Sequence, residues 1–133
     1  MNNSKDERIS KGVFMKINND VPLTEFGQNK NIKFHILDTD IMQSCGFRFF
    51  NNHWFFCIGI TDTISMIITI EQNEEGKIDI MDDDFMQPYD FQSMINRGNS
   101  NNTVKIVQKK VYEIMENLIK NKIITGWNRG DYI

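Results

Sequence analysis

Phe47-Arg48-Phe49-Phe50-Asn51-Asn52-His53-Trp54-Phe55-Phe56 is the stretch on which the reading of this chain turns. Two apolar-rich runs flank a pair of asparagines, a residue that tolerates the positive φ of a tight hairpin turn. A two-residue loop there sets Phe50 opposite His53, Phe49 opposite Trp54 and Phe47 opposite Phe56. Residues 61–63 (Thr-Asp-Thr) then turn the chain into an alternating run over 64–71, and residues 72–76 turn it again into 77–83.

Side chains on a strand alternate between faces, so one register fixes every later assignment. It places Phe47, Phe49, Trp54, Phe56, Ile58, Ile60, Ile64, Met66, Ile68, Ile70, Ile78 and Ile80 on one uninterrupted apolar face. The opposite face is mixed and carries Arg48, Phe50, His53, Phe55, Cys57, Ile67, Asp79, Met81 and Asp83. One dry face and one mixed face is the pattern of an antiparallel sheet.

Something long and apolar has to cover the dry face. Residues 103–122 place Val104, Val107, Val111, Ile114, Met115, Leu118 and Ile119 at helical spacing, with Asn102 or Thr103 as N-cap. Such a helix is about 30 Å long, the breadth of a small sheet. Pro88 suits the first turn of a short preceding helix. Residues 32–37 and 123–127 read as further strands. The expectation is an α+β fold: an antiparallel meander of about five strands with a long C-terminal helix packed on one face. Residues 1–12 read as a mobile tail, and 13–133 as one domain.

The chain has 133 residues and a formal net charge of -3, too little imbalance to mark a nucleic-acid binder. Neither a secretory leader nor a membrane-length apolar run is evident, so the cytoplasm is the default compartment. Alanine is absent while Asn and Ile are abundant, a composition that points to an AT-rich genome, bacterial or phage. The charge is uneven. Between residues 71 and 90 stand Glu71, Glu74, Glu75, Asp79, Asp82, Asp83, Asp84 and Asp90 against Lys77 alone, and the remaining C-terminal part is mildly basic.

Asp82-Asp83-Asp84 invites a divalent cation, since hard cations favour clustered carboxylates, but the spacing fits no calcium loop. The plainer reading is a strand end with a cap and a solvated charge. The acidic band as a whole is better suited to docking a basic protein, because concentrated charge speeds association. His53 and Cys57 lie about 13 Å apart along a strand, too far for a nucleophile and its base. Cys57 reads as buried and inert, and both cysteines as free thiols. His35 with Asp38 and Asp40 has no recognised metal spacing, and Glu113 with Glu116 lacks partnering histidines. Lys105, Lys109, Lys110, Lys120 and Lys122 read as a solvated helix face rather than a phosphate site.

The leading expectation is therefore a small, non-enzymatic interaction protein, of the inhibitor or immunity type. It binds a basic protein partner through Asp79, Asp82, Asp83 and Asp84 together with Arg48, Phe50, His53, Phe55 and Trp127. Trp127 is either an anchor for that partner or a ring that closes the core. No cofactor, metal, nucleic acid or membrane enters this expectation. The alternative is a small metal-dependent enzyme or binding domain built on the Asp82–Asp84 cluster. A third reading is a homo-oligomer paired through an exposed strand edge.

Overall fold

A computed structural model of the chain describes residues 31–99 and 101–129. The expected tail over 1–12 lies outside the described residues. In chain order the elements are β1 (Lys33–Phe34), α1 (Thr39–Ser44), β2 (Arg48–Phe50), β3 (His53–Gly59) and β4 (Ile64–Glu71). They continue with β5 (Gly76–Asp82), β6 (Gln87–Pro88), α2 (Phe91–Asn96), α3 (Asn102–Lys120) and β7 (Ile124–Thr125). Strands β2 to β6 form one five-stranded sheet in sequence order, each pair antiparallel. The fold is α+β, as the periodicity predicts.

The Asn51-Asn52 hairpin forms with φ of 55° and 65°, the doubly left-handed geometry of a type I′ turn, whose twist matches the flanking strands. Phe50 faces His53 and Phe49 faces Trp54 in the expected register. Ile64, Met66, Ile68 and Ile70 of β4 are buried, as are Ile78 and Ile80 of β5. Helix α3 closes over this layer with Val104, Val107, Val111, Met115 and Leu118, and helix and sheet share one continuous core. Each such side chain contributes about 1.5–3 kcal/mol of burial.

Ten of the twelve side chains assigned to the dry face are buried. The exceptions, Phe49 at 50% and Ile58 at 41% exposure, sit on the margin of the sheet. Parity along a strand fixes the side to which a residue points, whereas burial also requires a roof at that place.

Several local expectations are corrected. The 32–37 strand shrinks to Lys33–Phe34 and pairs with Ile124–Thr125 in a separate two-stranded ribbon. Residues 39–44 form a short helix in which Asp38 is the N-cap, accepting from Ile41 N at 2.9 Å. Only Met42 of that helix is buried, so it has no apolar stripe to announce it. Pro88 belongs to β6 rather than to a helix, and α2 begins at Phe91 behind the Asp90 cap. Asn101, not Asn102 or Thr103, caps α3 by accepting from Val104 N. Cys57 is exposed, because its face of β3 has no roof among the described residues.

The β1–β7 ribbon is tied to the main sheet at the β4–β5 turn. The ring of Phe34 lies against Gly76, where an added Cβ would come within 2.9 Å of it. The carboxylate of Glu74 accepts from the backbone N–H of Ile36 at 2.8 Å.

Candidate functional site

The three consecutive carboxylates are divided among distinct structural tasks. Asp82 ends β5 and turns back on its own backbone, its Oδ1 accepting from Asp84 N at 3.0 Å and from Phe85 N at 3.3 Å. This is the Asx turn that a short acidic side chain forms at a chain reversal. Asp83 donates its backbone N–H to Thr63 O at 2.7 Å, and its carboxylate accepts the Ser65 hydroxyl at 2.6 Å. Asp84 is exposed. No three His, Cys, Asp or Glu side chains among the described residues come together to hold a metal ion.

The turn built this way projects Phe85 and Met86, which are 71% and 78% exposed. Met86 adopts a left-handed φ of 52°, unusual for an unbranched apolar residue. Sequence periodicity does not single these two out, since they fall in a loop between strands. The signal present was two large apolar residues directly after a turn-forming aspartate. Beside the tip, burial and then the charge of Asp82 raise the Tyr89 phenol above its ordinary pKa of 10.0.

The mixed face gathers Arg48, Phe50, His53, Phe55 and Asp79 on one side of the sheet. Arg48 lies opposite Phe55, which lies opposite Thr69, itself opposite Lys77. Phe50 lies opposite His53, whose Nδ1 donates to Asn51 O at 2.7 Å and whose ring is 5.6 Å from that of Phe55. Asp79 sits beside Lys77 at 3.9 Å, an exposed pair of little energetic weight.

These residues do not form one compact patch. The Phe50–His53 corner lies at the start of β3, and the Asp82–Asp84 tip lies at the end where Gly59 pairs with Ser65 and Ile64 with Asp82. The length of β3 separates them by about 20 Å. The acidic band is likewise split. Glu71 pairs with His53 at one end of the sheet, next to the turn that holds Glu74 and Glu75, while Asp82, Asp83 and Asp84 occupy the other.

Trp127 lies in the interior at 6% exposure, its ring packed edge-on against Tyr112 at 5.3 Å. Of its two expected roles it occupies the core-closing one. Arg129 lies over the Tyr112 ring at 5.3 Å and reaches Glu116 at 2.9 Å. The other chemistry-bearing sets are engaged separately. His35 Nε2 is 3.0 Å from the Thr125 hydroxyl while Asp38 caps α1, and the helical lysines are exposed.

A trough of about 420 Å³ runs between the margin of β3 and helix α3. Its walls include Phe56, Ile58 and Ile60 from the sheet side and Lys110, Glu113 and Ile114 from the helix. No helix of the described residues is long and apolar enough to cross a membrane. No family model, curated protein or solved structure matches this chain.

Proposed function

We propose that this chain is a non-enzymatic protein-binding domain that docks a basic partner at the acidic end of its sheet, in the manner of an inhibitor or immunity protein. One observation carries the reading: three carboxylates surround a hydrogen-bonded turn that holds Phe85 and Met86 in solvent. A tip already ordered before binding loses little conformational freedom on docking, so more of its contact energy appears as affinity. The carboxylates would set the encounter rate and the two apolar side chains the lifetime of the complex.

Asp79 and the Arg48, Phe50, His53 and Phe55 corner belong to the same proposed surface. A standard interface covers about 800 Å² per partner, a patch roughly 30 Å across, and so spans the sheet from the tip to that corner. Trp127 is excluded from this surface by its burial.

The test uses a basic protein encoded next to this chain's gene. Its association rate is measured against ionic strength for the native chain and for the Asp83→Asn, Asp84→Asn double variant. Asp82 is left in place because it builds the turn. A native rate that falls steeply with salt, and a flatter dependence in the variant, are the expected results. Identical salt dependence in both proteins would remove the acidic tip from the account.

A further inference from the structure

We propose that residues 32–37 are a strap that lifts from β7 as one unit, and that the Glu74 carboxylate is the latch that holds it down. The strap lies at the end of the sheet opposite the Asp82–Asp84 tip, so it stands apart from the docking proposed above.

The turn between β4 and β5 puts an unusual residue in an unusual backbone. Glu71 N donates to Glu75 O at 2.7 Å, and Glu74 N donates to Glu71 O at 2.8 Å. These bonds close a three-residue hairpin loop whose last residue takes the left-handed conformation, and Glu74 has a φ of 67°. Glycine is the ordinary occupant of that bulge position, since it has no Cβ to crowd the backbone. The Asn51-Asn52 turn meets the same demand with asparagine, which tolerates it. Glutamate lacks that tolerance, so the turn carries strain that a glycine would remove.

What a glycine would not supply is the carboxylate. Glu74 Oε2 accepts from Ile36 N at 2.8 Å, across 38 positions of sequence. Strain kept at one residue persists where the surrounding structure makes use of it. Here the strained residue reaches out of its own hairpin and holds a separate segment.

That segment is the weakly seated one. Its neighbour β7 is fixed, because Ile123 and Ile124 are fully buried in the core. By contrast, no residue from 31 to 41 is buried, and Ile32, Phe34, Ile36 and Leu37 are only partly covered where they meet the core. The strap is joined to β7 by a two-residue pairing, by His35 N donating to Ile123 O at 2.8 Å and by the His35 ring at the Thr125 hydroxyl. Few buried contacts and a short pairing mark a segment that opens locally, at less cost than global unfolding. Asp38 caps α1 and Met42 is buried, so the lifting ends where α1 begins. Glu74 therefore sets how often the strap lifts, and β1 moves while β7 stays.

Amide hydrogen exchange on the full chain, native and as Glu74→Gly and Glu74→Gln, tests this. The informative amide is that of His35, whose acceptor is Ile123 O rather than Glu74. Its exchange should quicken by about tenfold in Glu74→Gly, and by less in Glu74→Gln, which keeps a neutral acceptor. In Glu74→Gly the Glu71 amide should be as protected as in the native chain or more so, because the turn has lost its strain. Unchanged exchange at His35 in both variants, with or without faster exchange at Ile36, would overturn the proposal by making Glu74 the partner of one N–H and nothing more. Equal acceleration at His35, Glu71 and Ile60 would overturn it as well, since the whole fold would then be loosened. So would a native His35 amide that exchanges without protection, because the strap would not be held at all.

Discussion

Tyr112 donates its phenolic hydrogen to Gln92 Oε1 across 2.8 Å, joining α3 to α2 in the interior. Gln92 is only 3% exposed, the one buried polar side chain among the described residues. Tyr112 also packs against Phe91 and Trp127, so one ring joins both helices to the segment that follows β7. Removing the hydroxyl takes this donor from an acceptor with little access to water. Tyr112→Phe should therefore cost about 1–3 kcal/mol while preserving the packing. Urea denaturation checks it: the midpoint should fall with the slope unchanged.

The Asn51-Asn52 turn places two side-chain-bearing residues at positive φ. A left-handed backbone costs most L-residues roughly 1–2 kcal/mol, less for asparagine and least for glycine. Asn52→Gly should raise the melting temperature slightly, and Asn52→Val should lower it by several degrees. Two variants of one residue that move in opposite directions would tie the effect to φ. Equal behaviour of the two would remove φ from the explanation.

Gly98 and Gly126 make a matched pair. Both have positive φ, 77° and 88°, but an added Cβ meets nothing within 4 Å at Gly98 and would lie 1.7 Å from Asn31 O at Gly126. Gly98→Ala should show the conformational cost alone, about 1–2 kcal/mol. Gly126→Ala adds a backbone collision and should fall among the severe substitutions, above about 4 kcal/mol. Thermal melts of the two variants side by side give the comparison.

Tyr89 supplies a pH dependence. Its phenol is raised above 10.0 in the fold, first by burial and then by Asp82. Below the unfolded-state pKa the group is protonated in both states and costs nothing. As pH climbs from about 10 through the raised value, the unfolded chain ionises first and gains stability relative to the fold. Native stability should decline across that window and Tyr89→Phe should flatten the decline. Asp82→Asn keeps the Oδ1 acceptor of the turn but removes the charge, so it should lower the Tyr89 pKa. The tyrosinate absorbance of the native protein and of Asp82→Asn, each less that of its Tyr89→Phe counterpart, reads the shift.

The central hairpin and the long helix were legible because their signals are local and redundant. Asparagines at a turn, unbroken alternation and 3.6-residue spacing all agree over the same stretches. Met42 is the single buried residue of α1, so that helix had no periodicity to display. Pro88 looked like a helix start, but the edge of a sheet also tolerates a residue without an N–H. Phe49 and Ile58 point toward the core side yet stay wet, because the extent of a roof is a tertiary property. The split of the acidic band was legible in principle: Glu75 and Asp82 flank the length of one strand, and a strand separates its ends. The Phe85–Met86 tip was not, since nothing in a loop's sequence states which side chains remain uncovered.

The small ribbon of Lys33–Phe34 and Ile124–Thr125 has a kinetic meaning. His35 and Thr125, which touch across it, are 90 positions apart, whereas the meander joins only neighbours in sequence. Bringing distant segments together carries a loop-closure cost that grows with separation, so the meander can assemble early and the ribbon only after α3 has docked. The protein thus resembles a folded sheet fastened by a late clasp. Opening that clasp would separate Lys33–Phe34 from Ile124–Thr125 and leave every pairing of the meander in place.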